Sequence, residues 1–214
     1  MTSPVVLITD CSSGIGKVLC QAFHRRGYQV VATARRLEAI DDLKAHTVMT
    51  LPLDVTDSVD IRQVIEAVLA QEGRIDLLVN NAGFGQFGPL IDLSAAPAPG
   101  PVSHQCGGFP GTGAAGGPGD ETAAIGRHRQ HRQHFEGGDD ALCGRLLCLE
   151  AALHSLSEAL RMELAPFGIQ VVTVQPGAIH SNFGQAAEQG LVGVLSPDSW
   201  YAPLESKIRA RAVL

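Results

Sequence analysis

The residues best suited to bind a charged ligand form a glycine-bearing turn near the N-terminus, Thr9-Asp10-Cys11-Ser12-Ser13-Gly14-Ile15-Gly16. Glycines at such a turn let the backbone approach a phosphate closely, and a helix that starts there directs its unpaired N–H groups at the anion. A plain tight turn between a strand and a helix is the alternative interpretation of the same residues. The turn alone is weak evidence, so its meaning depends on the motifs that accompany it.

Two arginines, Arg35 and Arg36, directly follow the apolar run Val30–Ala34. At the end of such a strand, an NAD-specific site holds the ribose 2′-hydroxyl with an Asp or Glu, and neither is present here. A guanidinium at this position can instead bind a 2′-phosphate through paired hydrogen bonds. The pattern favours NADP over NAD, and the alternative is that both arginines are solvated residues that open the next helix.

The elements that must position these groups alternate along residues 1–94. Short aliphatic or β-branched runs predict buried strands, and apolar residues at three- and four-residue spacing predict helices. The predicted strands are Val5–Thr9, Val30–Ala34, Val48–Leu53 and Ile75–Val79. Between the first two strands we predict a helix that ends at Gly27 and whose apolar face is Ile15, Val18, Leu19, Ala22 and Phe23, and between the next two a short helix at Leu37–Ala45. Before the last strand we predict a helix that is capped by Asp57 or Ser58, ends at Gly73 and has the inner face Ile61, Val64, Ile65, Val68 and Leu69. This order predicts an α/β fold with a doubly wound parallel sheet and right-handed crossovers.

Residues 151–176 continue this plan. A helix is marked by Leu153, Leu156, Leu160 and Leu164, and a strand at Ile169–Val174 is ended by Pro176-Gly177.

Residues 95–150 do not fit the plan, because they hold 12 of the 24 glycines and, as far as Ala141, contain only Val102 and Ile125 among Val, Ile and Leu. Such a composition predicts a loop or disorder, although a structureless stretch of this length is unusual inside one domain. We therefore expect residues 1–214 to form a single domain in which 95–150 are aberrant and the fifth strand and its flanking helices are disrupted. Val79 and Val172 would then lose a neighbour in the sheet and leave apolar faces exposed.

The motifs that follow the predicted strands resemble those of the short-chain dehydrogenase/reductase family. The family pattern T-G-x-x-x-G-x-G corresponds to Thr9, Gly14 and Gly16, the acidic pair after strand three to Asp54-Val55, the N-N-A-G motif to Asn80–Gly83, and the P-G motif to Pro176-Gly177. The resemblance covers residues 1–94 and 151–200. Within the family, the I-T-x-C-S-S-G-I-G and P-G-A-I-x-S-N-F segments are similar to those of the steroid and retinol dehydrogenase branch. The chain stops at Leu214, before the family's usual end, which suggests a truncated C-terminus.

The resemblance implies a Rossmann-type NAD(P)-binding domain and an oxidoreductase that interconverts a hydroxyl and a carbonyl on a lipophilic small molecule. Within that family, Arg35 and Arg36 favour NADP, with NAD the less favoured cofactor, and we assign no metal ligand. The implied cofactor-binding residues are Thr9, Ser12, Ser13, Gly14, Ile15, Gly16, Arg35, Asp54, Val55, Asn81, Ala82, Gly83, Pro176 and Gly177. A small-molecule substrate and a homo-oligomer for the intact parent are implied as well.

The chain departs from the family in two ways. Asp10 stands where the family has glycine, so its carboxylate would lie near the pyrophosphate and weaken binding.

The family's Tyr-x-x-x-Lys pair is also missing, because Tyr28 is followed at that spacing by Ala32 and Tyr201 by Glu205. In the family, Tyr is the general acid/base, and Lys lowers its pKa from the same helical face. We therefore assign no catalytic residue and expect this chain to be inactive; a non-catalytic dinucleotide-binding module or dead paralogue is the alternative.

The genetic code offers an explanation for the missing pair. Read one base later, the possible codons of Arg145–Glu150 permit Ala-Tyr-Cys-Ala-Ser-Lys, with Tyr opposite Leu146 and Lys opposite Glu150. The same shift permits Ile-Val-Asn-Ile opposite His128–His131 and Ser opposite Gln133. We hypothesise that residues near 95–150 are translated out of frame, through a sequencing error or a pair of indels, with the frame restored by Ala151.

Composition argues against several other classes of protein. A net charge of −6 gives no electrostatic case for nucleic-acid binding, and no apolar run is long enough for a membrane span. The N-terminus lacks the charged and apolar regions of a signal peptide, and the five cysteines form no C-x-x-C pair, so a reducing cytoplasm is the expected location. The basic run Arg127–His134 lacks the aromatic residues of a nucleic-acid site and the supporting ligands of a metal site.

Overall fold

The computed structural model describes residues 3–83, 123–127, 144–176, 201–204 and 206. The first part of the chain contains β1 (Val5–Ile8), α1 (Gly14–Arg25), β2 (Gln29–Ala34), a 3-10 segment (Leu37–His46), β3 (Met49–Pro52), α2 (Ser58–Glu72) and β4 (Leu77–Asn80). The second part contains β5 (Ala123–Arg127), α3 (Gly144–Leu164), a 3-10 turn (Ala165–Phe167), β6 (Val171–Val174) and a further 3-10 turn (Ala202–Leu204). The strands and helices predicted for residues 1–83 and 151–176 are confirmed to within a few residues at their ends.

The strands form one parallel sheet in the order β3-β2-β1-β4-β5-β6. The chain passes from β3 at one edge back to β4 beside β1, so the direction of winding reverses between β1 and β4. This is the Rossmann strand order, and ligands of such sheets bind at the carboxyl ends of the strands beside the point of reversal. The predicted doubly wound parallel sheet is confirmed.

Within residues 95–150, which were expected to be aberrant, the structure describes the strand Ala123–Arg127 and the start of helix α3. The backbone of Ala123–Arg127 pairs with β4 on one side, where Val79 lies opposite Ile125, and with β6 on the other. A parallel ladder uses only backbone N–H and C=O groups, so a segment of poor strand composition can complete a sheet that offers unpaired groups on both sides. The strand lies just before residues 128–131, where the shifted codons would permit one. Helix α3 likewise begins at Gly144, inside the stretch that was expected to be irregular.

Two apolar layers cover the sheet, one on each face, as the alternation of side chains along β1 dictates. Val6 and Ile8 pack with the residues of β2 and β4 that face α1 and the 3-10 segment. Val5 and Leu7 belong to the opposite layer, which packs against Ile61, Val64 and Val68 of α2. Val79 is 2% exposed and therefore keeps a covered face, whereas Val172 on β6 is 43% exposed. The expected exposure of apolar strand residues is thus seen at Val172 and not at Val79.

The buried face of α1 differs from the predicted one. Gly16 and Cys20 are buried and Leu19 and Phe23 pack against the core, whereas Val18 is 58% exposed. The reason is the close approach of the helix at Gly16. A Cβ added there would overlap the carbonyl oxygen of Asp10 and lie 2.5 Å from Nδ2 of Asn81. The side with no Cβ must therefore face the sheet, which rotates Val18 towards solvent.

Helix α2 begins and ends as predicted. Asp57 is its N-cap, and its carboxylate accepts a hydrogen bond of 2.7 Å from the backbone N–H of Val59. Gly73 ends the helix in the left-handed conformation, with a φ of 75°, which glycine adopts without steric cost. Among the described residues, no helix has both the length and the apolar character that crossing a membrane requires.

Candidate functional site

Thr9, the first residue after β1, joins the ends of β1 and β4. Its Oγ1 donates to the carbonyl oxygen of Val79 at 3.3 Å and accepts from the backbone N–H groups of Asn81 and Ala82, both at 2.9 Å. One hydroxyl can do this because it offers one proton and two lone pairs. Thr9 is buried, so its function in this structure is to fix the backbone that leaves β4 against the turn that leaves β1.

Asn81 completes the connection through its side chain. Its Nδ2 donates to the carbonyl oxygens of Thr9 at 2.9 Å and Asp10 at 2.8 Å. The hydrogen bond to Thr9 is buried, and the one to Asp10 is partly buried. Ala82 is half-buried and Gly83 is exposed, and both continue the chain away from this connection. The N-N-A-G segment therefore shapes the turn after β1 by holding two of its carbonyl groups.

The start of α1 provides free backbone donors. The first N–H groups of any α-helix lack intrahelical partners, and the first turn of α1 contains no acidic residue. Ser13 is the N-cap residue, yet its side chain makes no capping hydrogen bond. Ser12, Ser13, Gly14 and Ile15 are all partly exposed. The turn and the helix start thus form a group of donors suited to an anion, with Asp10 as the exception.

Arg35 and Arg36 lie where the sequence predicts them, at the carboxyl end of β2. Both are exposed, and neither is in an ion pair with a residue that the structure describes. The backbone just before them is fixed to the end of β3, because the carbonyl oxygen of Ala34 accepts from the Leu53 N–H at 3.0 Å. Two cationic groups are therefore available at the same edge of the sheet as the turn after β1.

Asp54 and Val55 follow β3 at this edge. The Asp54 backbone N–H donates to the Asp60 carboxylate at 3.0 Å, and the Asp54 carboxylate accepts from the Thr56 N–H at 2.9 Å. Val55 packs against the apolar layer on the α2 side. The hydrogen bonds hold the Asp54 backbone at the start of the loop that leads into α2, beside the edge at which β2 ends.

Pro176 lies two residues after β6, and Gly177 lies outside the described residues. Directly before it, Nε2 of Gln175 lies 2.5 Å from Nε2 of His154 on α3. This contact joins the end of β6 to α3. The structure therefore places Pro176 at the same edge of the sheet as the other motifs, two strands beyond β4.

Helix α3 spans the two positions at which the shifted codons would supply Tyr and Lys. Leu146 and Glu150 are four residues apart, and the backbone is helical from Gly144 onward. Residues at this spacing share one face of a helix. The chain thus has the helix that a Tyr-x-x-x-Lys pair needs but carries neither residue at these positions.

The contribution of Thr33 was not predicted from the sequence. This buried residue of β2 donates from Oγ1 to the carbonyl oxygen of Ile8 at 3.0 Å, and its own carbonyl oxygen accepts from the Cys11 N–H at 2.8 Å. It therefore anchors the turn after β1 from the side opposite to Asn81. A polar residue inside an otherwise apolar strand was the signal that could have revealed it.

Cys11 and Cys20 are buried residues of the apolar layer that faces α1. A hydrogen bond with Cys20 and burial raise the pKa of the Cys11 thiol far above its ordinary value. A neutral thiol is a poor nucleophile, so Cys11 contributes to this turn by packing.

Comparisons with known proteins agree with this arrangement. Residues 4–97 match the family model described as short chain dehydrogenase. The short-chain dehydrogenase ptmH of Penicillium ochrochloron is 35% identical over 99% of this chain and 77% of its own length. The NADPH-dependent 1-acyldihydroxyacetone phosphate reductase of Schizosaccharomyces pombe is 33% identical over 82% of this chain and 60% of its own length.

A solved structure supports the same assignment. The short-chain dehydrogenase from Sphingobium yanoikuyae in complex with NADPH has a TM-score of 0.70 and 28% identity, covering 86% of this chain and 74% of that one. In this chain the turn after β1, the Asp54-Val55 pair after β3 and the N-N-A-G segment at the end of β4 meet at one edge of a Rossmann sheet. This chain therefore belongs to the short-chain dehydrogenase/reductase family of oxidoreductases.

Proposed function

We propose that this chain is an NADP(H)-binding domain that does not turn over substrate, derived from an enzyme that interconverts a hydroxyl and a carbonyl. The observation that carries the proposal is the meeting of the α1 donors with the exposed Arg35 and Arg36 at one edge of the sheet. Ser12, Ser13, Gly14, Ile15 and Gly16 would surround the pyrophosphate, and Thr9 and Asn81 would hold that turn in shape.

The adenosine half of the dinucleotide would lie over the ends of β2 and β3. Arg35 would bind the 2′-phosphate, with Arg36 adjoining, since no carboxylate occupies the end of β2 to hold a free ribose hydroxyl instead. Asp54 and Val55 would border the adenine. Ala82, Gly83, Pro176 and Gly177 would border the nicotinamide half.

When bound, the nicotinamide supplies a hydride to the substrate carbon or accepts one from it. The substrate oxygen must also gain or lose a proton, and in the family a tyrosine donates or accepts that proton. Leu146 has no proton to exchange, and Glu150 carries the wrong charge to lower the pKa of a neighbouring phenol. This chain's own residues can therefore bind and orient the dinucleotide but cannot complete the reaction.

The substrate class we propose for the parent is a lipophilic carbonyl compound. The S. pombe relative is by its name a reductase of an acylated dihydroxyacetone phosphate. The sequence P-G-A-I-H-S-N-F from Pro176 onward also resembles the corresponding segment of the steroid and retinol branch. We further propose a homo-oligomeric parent in the cytoplasm, with neither nucleic acid nor metal as a partner.

Two measurements on the purified full chain test the proposal. In a fluorescence titration, we expect NADPH to bind and NADH to bind more weakly. In a parallel assay with aldehydes and ketones of increasing chain length, we expect no oxidation of NADPH. Turnover of any carbonyl compound would contradict the assignment as a non-catalytic domain, and absence of binding to both dinucleotides would contradict the binding site.

A further inference from the structure

Asp10 has an unusual conformation in the turn that precedes α1. Among the described residues it is the non-glycine residue with a positive φ, at 52°. Asp tolerates this left-handed region better than most residues do, and Asn81 holds the Asp10 carbonyl oxygen in place. The backbone at this position is therefore the one that glycine adopts most readily, while the side chain adds a carboxylate to the turn.

The Asp10 side chain is exposed and is hydrogen-bonded to Ser12. The Ser12 hydroxyl donates to Oδ1 of Asp10 at 2.7 Å. A hydroxyl has a single proton to donate, so Ser12 can present only lone pairs elsewhere while this hydrogen bond persists. Lone pairs do not attract phosphate oxygens. Asp10 thus removes one side-chain donor from the group of donors at the start of α1.

The charge of Asp10 acts in the same direction. The first turn of α1 carries no acidic residue, so the Asp10 carboxylate is the negative group nearest along the chain to these donors. Negative charge beside a helix N-terminus competes with an incoming anion for the same N–H dipoles. Because Asp10 is exposed, this repulsion is screened by salt.

We propose that Asp10 lowers the dinucleotide affinity of this chain in two ways: through its negative charge, and by accepting the hydrogen bond that the Ser12 hydroxyl could otherwise donate to a phosphate. The inference rests on the proposed NADP(H) site and adds a determinant to it. Its two contributions are separable, because an asparagine at this position loses the charge but keeps an oxygen that accepts from Ser12, whereas a glycine loses both.

The two single variants Asp10→Asn and Asp10→Gly measure the contributions by NADPH titration. We expect Asp10→Asn to tighten binding about three- to tenfold at low salt, as the loss of one exposed like charge predicts, and the gain to shrink at high salt. We expect Asp10→Gly to gain about a further tenfold that salt alters less, because the freed Ser12 hydroxyl can donate to a charged phosphate.

A double-mutant comparison isolates the hydroxyl. Ser12→Ala is made both in the unchanged chain and in the Asp10→Gly variant, and circular dichroism checks that all variants are folded. We expect Ser12→Ala to cost several times more affinity in the Asp10→Gly background than in the unchanged chain, because only without the carboxylate does the hydroxyl contact the phosphate. Equal losses of NADPH affinity in the two backgrounds would overturn the inference that Asp10 occupies the Ser12 hydroxyl.

The outcomes separate this inference from the function on which it rests. If the unchanged chain binds NADPH and Asp10→Gly binds it no more tightly, the inference fails and the binding site stands. If neither the unchanged chain nor Asp10→Gly binds NADPH, both fail. If Asp10→Gly binds and the unchanged chain binds only weakly, both are supported.

Discussion

The Nδ2 atom of Asn81 lies 2.8 Å from the carbonyl oxygen of Asp10, across 71 residues of sequence. The same nitrogen donates to the Thr9 carbonyl oxygen, so one amide holds two consecutive peptide groups of the turn after β1. Gly16 lies directly against this contact, and the helix approaches so closely that a Cβ at this position would overlap the Asp10 carbonyl oxygen and the Asn81 amide. The turn, the helix start and the end of β4 are therefore a single hydrogen-bonded unit.

Asn81→Ala tests this unit. The substitution leaves the buried Thr9 carbonyl group and the partly buried Asp10 carbonyl group without this donor, and we expect it to lower the free energy of unfolding by about 1–3 kcal/mol. NADPH binding should weaken as well, because the turn loses its shape. Urea denaturation and NADPH titration measure the two effects. The adjacent residue gives a matched control: Asn80→Ala should change both quantities much less, and equal effects would show that Asn81 has no special contribution.

Gly16→Ala tests the close approach of α1. Alanine is favoured over glycine inside a helix by about 1 kcal/mol, so an uncrowded site would be stabilised by this change. Here the methyl group meets the Asp10 carbonyl and Asn81, and we expect a net loss of about 1–3 kcal/mol from overpacking. Thermal and urea unfolding decide the sign. Gly73→Ala provides the contrast, since φ there is 75° and a Cβ would meet nothing within 4 Å, so any loss at that position comes from the backbone conformation and not from crowding.

Arg35→Ala tests the preference for NADP. Loss of a charge-assisted hydrogen bond to the 2′-phosphate should weaken NADPH binding by about 1.5–3 kcal/mol, which is roughly ten- to a hundredfold in Kd. NADH lacks that phosphate, so its affinity should hardly change. Parallel titrations of both dinucleotides with Arg35→Ala, Arg36→Ala and the unchanged chain make the comparison. An equal loss for NADPH and NADH would mean that the arginine acts on something other than the 2′-phosphate.

The reading-frame hypothesis makes its own prediction. Resequencing the coding DNA over codons 90–155 shows whether a shift is present, and replacing residues 95–150 by their one-base-shifted translation should yield a chain that oxidises NADPH with a carbonyl substrate. The double change Leu146→Tyr and Glu150→Lys alone should give less activity, because it restores neither the serine that the shifted codons permit opposite Gln133 nor the rest of the shifted segment. A frame-restored chain that carries phenylalanine in place of the restored tyrosine is the control and should bind NADPH without turnover. Activity that survives this control would contradict the assigned chemistry.

Local signals were sufficient for the elements of residues 1–83. Asp57 caps α2 and Gly73 ends it because capping and left-handed termination depend on neighbouring residues alone. The α1 face was less predictable. Periodicity placed Val18 inside, whereas the absence of a Cβ at Gly16 turned that side of the helix to the sheet instead. Helical spacing defines which residues share a face, but contact with another element selects the face that is buried.

The sequence by itself determined the order of strands and helices, the four motifs, the arginines after β2 and the missing Tyr-x-x-x-Lys pair, because each is a property of residues close together in the chain. Only the tertiary structure decided that residues 123–127 complete the sheet between β4 and β6, since pairing depends on what distant strands offer. It also decided that Thr33 and Asn81 hold the turn from opposite sides and that the Ser12 hydroxyl donates its hydrogen bond to the Asp10 carboxylate. Such contacts join groups whose relative position is fixed by the packed fold and not by their spacing in sequence.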